Sequence, residues 1–234
     1  RSAVFTPIWE ASTQLPAATA RNVYFDDAGT VKKLGGTTIS LAGLCSLSNT
    51  LYPQQSPCTE SRLTGLGPPA YRAAKHLLGE TSGEVRNGGK LRDRTTTLGD
   101  IINSTPVISS PIDDFGYRAL GDPYNTSYTA YLNSKRTDKR YMVYAGANDG
   151  MLHAFNAANG EELLGYIPSW IGPTLPALAA AHYNPRHHHS LAARTPPVAD
   201  PPLGSPSQTF LVPGPGRRAQ ALFPPHAPTP PPFR

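Results

Sequence analysis

The chain lacks several features that mark common classes of protein. Its 234 residues contain no run of 18 apolar residues, so the sequence predicts no membrane-spanning helix. Acidic residues are few, 16 against 21 lysines and arginines, which gives a formal net charge of +5. Most of this excess lies in residues 171–234, where arginines are scattered among prolines. Without a helix face or interleaved aromatic residues, such arginines do not predict nucleic-acid binding.

Cysteine is nearly absent, and the two that occur, Cys45 and Cys58, lie close together. With no second pair and no histidine between them, they make a poor zinc site. A local disulfide is favoured over two unpaired thiols, and closing a loop of this size stabilises a fold by roughly 3 kcal/mol. A disulfide would place the chain in an oxidising compartment such as the periplasm or the cell surface.

Proline, in contrast, is abundant and unevenly placed. Ten of the 26 prolines lie in residues 1–170, and sixteen lie in residues 171–234. Proline lacks the N–H that a central strand donates, so a dense proline region forms sheets badly. Residues 171–234 are therefore predicted to be an irregular continuation of the fold.

Residues 1–97 are predicted to lead into the main fold. A strand is expected at "NVYF", followed by the turn "DDAG", and residues 30–67 are interpreted mainly as loop. The clearest helix is predicted at residues 68–80, where apolar residues recur at helical spacing and Gly79 ends the pattern.

Residues 98–170 carry the strongest β signals. A β-rich run is expected around residues 101–108, followed by a long polar insertion at residues 111–138. The insertion is interpreted as a mobile loop that could bind a partner, although loop anchoring is the alternative role for its tyrosines. Its candidate binding residues are Tyr117, Tyr124, Tyr128 and Tyr131.

Residues 141–169 predict three antiparallel strands joined by two tight turns, "NDG" and "ANG". The first turn is built by Gly146, Asn148, Asp149 and Gly150. Its two adjacent polar residues lack the alternating oxygen ligands of a calcium loop, so a structural turn is favoured over a metal site.

A three-stranded meander alone is marginal in water, and radial repetition of such units gives a β-propeller. A ring needs at least about four blades, each of roughly 40–45 residues, so the chain is predicted to hold only part of its domain. The predicted fold class is all-β: a partial propeller with quinoprotein-like antiparallel blades, a short helix-containing N-terminal segment and an irregular Pro-rich tail.

Two stretches carry a combined motif, "LGDIINSTPV" at residues 98–107 and "YMVYAGANDGMLHAFNAANGEELLGYIPS" at residues 141–169. Together they resemble the β-propeller of the PilC/PilY family of type IV pilus biogenesis factors and tip-associated adhesins. The tail departs from the family pattern, with Ala193 and Arg194 in place of Asp-Gly, and Pro213 and Pro215 in place of Gly or Leu. The matching residues are Gly99, Asp100, Ile101, Asn103, Ser104, Pro106, Gly146, Asn148, Asp149, Gly150, Met151, Leu152, His153, Phe155, Gly160, Glu161, Glu162, Ile167, Pro168 and Ser169.

The resemblance implies a non-catalytic protein of the bacterial periplasm or outer surface that supports pilus assembly and surface attachment. It implies pilus subunits and minor pilins as partners, together with a host or abiotic surface. It also implies calcium dependence, through an Asp-rich loop of a later blade that this chain does not contain. No catalytic, cofactor-binding or metal-ligating residue is assigned within the chain.

Two alternatives stay open at this stage. A quinoprotein-type dehydrogenase, dependent on pyrroloquinoline quinone, has similar blades but needs aromatic residues and acidic residues around its cofactor. The chain has only two tryptophans, Trp9 and Trp170, and neither has an acidic cluster nearby in the sequence. The other alternative is a generic extracellular propeller that acts as a binding scaffold.

Overall fold

A six-stranded sheet dominates the computed structural model of the chain, with the strands in the spatial order β2-β1-β6-β5-β4-β3. The structure describes residues 6–28, 30–35, 41–55, 57–59, 71–102, 104–182, 198–199 and 210–211. The six strands are β1 Val23–Asp27, β2 Thr30–Lys33, β3 Val107–Ser109, β4 Met142–Gly146, β5 Leu152–Asn156 and β6 Glu162–Ile167. Two further short strands, β7 Val198–Ala199 and β8 Phe210–Leu211, pair antiparallel with each other.

Helices and 3-10 turns make up the rest of the described regular structure. The helices are α1 Ala42–Leu51, α2 Tyr71–Leu78, α3 Tyr124–Asp138 and α4 Leu175–Ala179. The 3-10 turns are Ala11–Thr13, Val85–Asn87, Tyr117–Leu120 and Ser169–Thr174. Among the described residues, no helix is both long enough and apolar enough to cross a membrane.

Strands β4, β5 and β6 form the predicted antiparallel meander, which is confirmed. Strand β3 adds a fourth antiparallel strand through the pairs Val107–Tyr144 and Ile108–Val143. A propeller blade typically consists of four antiparallel strands. The β-rich run predicted around residues 101–108 is shorter in the structure, because only residues 107–109 pair with β4.

The strand predicted at "NVYF" is confirmed as β1, and it lies parallel to β6 in the same sheet, a pairing that the sequence did not predict. Val23 lies beside Gly165, and Phe25 lies beside Ile167, so residues far upstream complete this edge. The region predicted to lead into the main fold thus contributes strands to its sheet, and the sheet is mixed rather than wholly antiparallel. Parallel strands need a long crossover, which here includes α1, α2, β3 and the insertion.

Helices cover one face of the sheet. Val23, Phe25 and Ile167 are buried in one hydrophobic cluster with Leu44 of α1 and Leu77 of α2. In a second cluster, Phe155 of β5 packs against Leu98, which precedes β3, and against Leu15, which follows the N-terminal 3-10 turn. Burying apolar surface on this face is the main favourable contribution to the fold.

Two segments interpreted as loop are helical in the structure. Residues 42–51 form α1 although glycine, serine and asparagine favour helices weakly, because Leu44 and Cys45 are buried against the sheet. The insertion at residues 111–138 holds the 3-10 turn Tyr117–Leu120 and the 15-residue helix α3 rather than a mobile loop. The spacing of Tyr124, Tyr128, Tyr131 and Leu132 is helical, a signal that the loop interpretation overlooked.

The predicted helix at residues 68–80 is present as α2, with residues 68–70 outside the described part of the chain. Most of the Pro-rich region, including the histidines at 187–189, also lies outside the described residues. Its described beginning is not irregular, since residues 169–179 form a 3-10 turn and α4.

Candidate functional site

The β4–β5 turn contains the predicted turn residues and contacts the segment of residues 98–107. Gly150 has a φ of +89°, a left-handed conformation that favours glycine, and the Ala147 and Met151 backbones pair across the turn at 3.0 Å. The side chain of Asp149 turns back and accepts a hydrogen bond from the Met151 N–H at 3.0 Å. The four predicted residues, Gly146, Asn148, Asp149 and Gly150, thus lie in one tight corner at the end of β4.

The "GD" segment before β3 is bound onto this corner. Gly99 donates its N–H to Asp149 Oδ2 at 3.0 Å, and the Asn148 N–H donates to the Asp100 carbonyl at 3.0 Å. A side chain at position 99 would place its Cβ only 2.3 Å from the Asp149 nitrogen, so glycine is required there. Ser104 Oγ accepts the Gly146 N–H at 3.1 Å. The two separate sequence motifs therefore form a single hydrogen-bonded unit.

A chain of four ionisable side chains runs inward from this corner. Asp149 Oδ2 lies 3.1 Å from His153 Nε2, and His153 Nδ1 lies 2.7 Å from Glu162 Oε1. Glu162 in turn binds Arg21 through two hydrogen bonds, 2.6 Å from Nε and 2.7 Å from Nη2. We call Arg21, Glu162, His153 and Asp149 the charged chain; it joins β1, β6, β5 and the turn.

The charged chain is buried and internally neutralised. His153 is fully buried, and Arg21 and Glu162 are 2% and 3% exposed. Burial alone would lower the pKa of His153, but Asp149 and Glu162 on either side raise it to about 9. An imidazolium then donates from both nitrogens, and two positive groups balance two carboxylates.

The pKa values of the two carboxylates are lowered, whereas that of His153 is raised. Burial would raise the pKa of Glu162, but hydrogen bonds from Arg21 and His153 outweigh it and lower the pKa to about 2. Burial would likewise raise the pKa of Asp149, whereas His153 and two backbone N–H donors lower it. Both carboxylates are therefore ionised near neutral pH, so the charged chain offers no general acid and no free general base.

A second buried carboxylate, Glu84, is also held by arginines. Glu84 Oε1 accepts from Arg94 Nε at 3.0 Å, and Oε2 lies 2.7 Å from Arg86 Nη2. Arg94 also donates to the carbonyls of His76 and Glu80, at 2.7 and 3.0 Å, so it ties the end of α2 to residues 80–94. Burial and the nearby arginines lower the pKa of His76 to about 3, which makes it a neutral packing residue.

The described residues contain no group of three or more His, Cys, Asp or Glu side chains arranged to hold a metal ion. The most acidic corner, at Asp149, does not suit calcium, because its oxygens already accept from two N–H groups and from His153. Calcium needs six to eight oxygen ligands, and the Asp149 carboxylate is already engaged by these donors.

The insertion has a small core of its own. Tyr128 is fully buried, and its hydroxyl accepts the Phe115 N–H at 2.9 Å. Its ring packs edge-to-face on Tyr117 at 5.4 Å and stacks on Tyr131 at 6.2 Å. Tyr128 thus packs as an anchor, the alternative role left open for these tyrosines, rather than as an exposed contact. Tyr124 is 44% exposed.

Cys45 and Cys58 are joined by a disulfide, with their Cα atoms 4.9 Å apart. Asn49 reinforces the closure, since its side chain donates to the Cys58 carbonyl and accepts the Cys58 N–H, both at 2.8 Å. A Cβ added to Gly172 would lie 2.9 Å from Cys58 Sγ, so the disulfide packs tightly against the turn that follows β6.

Sequence reasoning placed the turn but missed the charged chain. His153 and Glu162 are part of the family resemblance, yet no sequence signal connects them with Arg21, which lies 141 positions from Glu162. Alternation in β5 gave one hint, because it places His153 on the same face as the buried Phe155.

Residues 98–174 match the family model described as the PilY1 beta-propeller domain. The resemblance to the PilC/PilY family is confirmed. This match covers the GD segment, the turn, and three members of the charged chain, Asp149, His153 and Glu162. Arg21, the fourth member, lies upstream of it.

Curated relatives extend the similarity beyond the matched segment. A type IV pilus biogenesis factor PilY1 homolog of Xylella fastidiosa is 28% identical over 218 residues, which is 93% of this chain and 16% of that protein. The type IV pilus biogenesis factor PilY1 of Pseudomonas aeruginosa strain PAK is 35% identical over 136 residues, 58% of this chain and 11% of that protein. The chain spans about a tenth to a sixth of the length of the curated relatives that it matches. No solved structure is significantly similar to it.

Proposed function

We propose that this chain is part of a non-catalytic β-propeller protein that acts in type IV pilus assembly and in surface attachment. The observation that carries the proposal is the hydrogen-bonded unit of the GD segment and the β4–β5 turn, which lies inside the segment matched to the PilY1 β-propeller. Curated relatives named as type IV pilus biogenesis factors support the pilus part.

The chemistry of the buried groups supports a structural role over catalysis. Every carboxylate of the charged chain is bound to a cation or an N–H donor, and His153 is held between two carboxylates. A catalytic base needs a pKa near the working pH and access to a substrate. The four groups instead join elements distant in sequence, as a structural ion network does.

The insertion is the proposed contact element. It leaves Ile112, Leu120 and Tyr124 exposed, by 69%, 60% and 44%, beside a compact tyrosine core. Rigidly held aromatic and aliphatic side chains lose little entropy when they bind a partner. The proposed partners are pilus subunits, minor pilins and a host or abiotic surface, and the proposed location is the periplasm and outer surface. Calcium binding is proposed for a part of the protein outside these 234 residues.

Deletion of the gene, followed by complementation, tests the pilus role. We expect the deletion strain to lose surface pili and twitching motility and the natural-length protein to restore both. A variant with Ile112→Ser and Leu120→Ser should restore pili but attach less well to a surface, because the core of the insertion is kept. Normal piliation in the deletion strain would contradict the proposal. Turnover of an alcohol or sugar by the protein with pyrroloquinoline quinone and calcium would favour the dehydrogenase alternative.

A further inference from the structure

Most of the exposed apolar side chains of the described residues lie in the insertion or beside it. Seven of the ten exposed large hydrophobic residues in that part of the chain fall within residues 102–141. Two of them flank the 3-10 turn that packs against α3: Phe115, which is 41% exposed, and Leu120, which ends the turn. Exposed apolar side chains that are concentrated in one element indicate a contact surface.

Positive charge lies next to these apolar side chains. Lys135 and Arg136 follow the buried Leu132 by three and four positions, so they share the face of α3 that packs on the 3-10 turn. The amino group of Lys135 lies 5.8 Å from the centre of the Phe115 ring. The packed face of α3 therefore ends in cations beside an exposed aromatic ring.

Arg118 of the 3-10 turn brings a further cation to the same place. It forms an ion pair with the carboxylate of Asp114. The pKa of this carboxyl is lowered most by the N–H of Gly116 and further by the charges of Arg118 and Arg136. Both arginines are exposed and lie around one carboxylate, so this part of the insertion keeps an excess of positive charge.

The backbone at the end of α3 adds a second, independent observation. Lys139, which is exposed, follows the helix with a φ of +55°, a left-handed conformation in which glycine or asparagine is usual. The helix dipole favours cations in the last turn, where Lys135 and Arg136 already lie, but it does not require one in a disfavoured conformation. Such residues concentrate at functional sites. The basic edge comprises Phe115, Arg118, Leu120, Lys135, Arg136 and Lys139.

We infer that the basic edge binds a membrane surface that carries phosphate-bearing lipid headgroups. Phe115 and Leu120 would enter the boundary between headgroups and acyl chains, while the lysines and arginines bind the phosphates. A soluble polyanion would engage the cations but would leave the exposed aliphatic side chain of Leu120 in water. The inference rests on the contact role proposed for the insertion and names the chemistry of the surface that it contacts.

Vesicle binding by the purified natural-length protein tests this inference. The protein should sediment with vesicles of phosphatidylcholine and phosphatidylglycerol in equal parts, and far less with vesicles of phosphatidylcholine alone. The double variant Arg136→Gln with Lys139→Asn should bind about 25-fold more weakly, since each cation near an anionic surface contributes about a fivefold gain in affinity. Asparagine tolerates the left-handed conformation, so the variant should stay folded. Equal binding to both kinds of vesicle, or to neither, would overturn the inference.

Matched variants separate a specific edge from general attraction. Lys33→Gln with Lys90→Gln removes the same charge from exposed positions outside the insertion and should leave vesicle binding unchanged. Leu120→Ser should weaken binding about tenfold, whereas Leu51→Ser, at a similarly exposed leucine of α1, should not. An equal loss in the lysine control would show attraction by net charge alone and would overturn the inference.

Two further outcomes identify what has failed. Complete competition by heparin, together with full binding by Leu120→Ser, would identify an anionic sugar polymer as the partner and overturn the inference. Vesicle binding needs no pili, so binding by a protein whose deletion leaves piliation normal would refute the pilus role alone. Loss of pili on deletion, without vesicle binding by the protein, would overturn the lipid inference alone.

Discussion

At the scale of single residues, the charged chain ties the segment before β1 to strands β5 and β6 of the sheet. Arg21 binds Glu162 through two hydrogen bonds and also donates to the Leu77 carbonyl at 3.1 Å. One side chain thus links the start of β1, the start of β6 and the end of α2. Breaking a buried ion pair costs far more than its net contribution, since the remaining partner keeps an uncompensated charge.

Replacing Glu162 with glutamine should lower the free energy of unfolding by about 3–5 kcal/mol, because the buried Arg21 loses its counter-charge and His153 keeps only Asp149. The neighbour Glu161 is exposed and serves as the matched control. Glu161→Gln should change stability by no more than about 0.5 kcal/mol. Urea unfolding of both variants measures the difference, and equal effects would contradict a structural role for the charged chain.

The charged chain also predicts how stability depends on pH. The folded pKa of His153, about 9, lies above its ordinary value of 6.5, so its contribution is complete below pH 6.5 and disappears as pH rises through 9. The folded pKa of Glu162, about 2, lies below 4.5, so its contribution is complete above pH 4.5 and disappears as pH falls through 2. Both contributions are complete between pH 4.5 and 6.5.

His153→Gln isolates the alkaline part of this dependence. The imidazole faces Asp149 and Glu162, with Arg21 beyond, and the substitution removes the titrating group among them. The difference in unfolding free energy between the wild type and the variant should shrink as pH rises from 6.5 through 9. Parallel stability curves over that range would show that His153 is not held as an imidazolium.

At the scale of elements, the insertion is a separately packed unit attached to the sheet. Helix α3 packs mainly against the 3-10 turn Tyr117–Leu120, and its buried residues Tyr128 and Leu132 form the centre. Tyrosine, asparagine, threonine and serine dominate the helix, which explains why propensity alone predicted a loop. The tertiary contacts of Tyr128 outweigh this weak preference.

Tyr128→Phe should loosen the insertion without unfolding the sheet. The Phe115 N–H would lose its acceptor in a part-buried setting, at a cost of about 0.5–1.5 kcal/mol. Hydrogen exchange should therefore accelerate across residues 115–132 and stay unchanged in β4 to β6. Tyr124→Phe, at a half-exposed position of the same helix, is the control and should leave exchange unaltered. Faster exchange throughout the sheet would show that the insertion is part of the main core.

Local and long-range features differed in how far the sequence could predict them. The β4–β5–β6 meander followed from "NDG" and "ANG", because tight turns and alternation are encoded within a few residues. The parallel pairing of β1 with β6 was missed, since a five-residue strand carries no information about a distant partner. Helix α1 was missed for a related reason: burial of Leu44 and Cys45, rather than propensity, holds it.

At the scale of the whole molecule, the disulfide constrains the connection between β1 and β6. It closes the loop from α1 to Cys58 and packs against Gly172, after the last strand of the meander. Cross-linking a short loop of this kind mainly restricts the unfolded chain. The disulfide therefore stabilises the helical layer that covers the sheet.

Replacing both cysteines with serine should lower the free energy of unfolding by about 3 kcal/mol. In cells, trapping free thiols with an alkylating reagent should leave the wild-type pair unmodified until a reductant is added, as expected for an oxidising compartment. Replacing Ser46, which lies on α1 and is exposed, with alanine is the control for stability. Prompt alkylation without reductant would contradict the proposed location.

The parallel strand β1 has a practical consequence for anyone who expresses this protein. A recombinant fragment cut at the border of the matched family segment would begin at Leu98 and would keep every motif residue. It would nevertheless lack β1, the strand that pairs with β6, and Arg21, the residue that binds Glu162. An unpaired edge strand can pair with another chain, so such a fragment should aggregate. A fragment that starts before Trp9 retains β1 and keeps β6 paired.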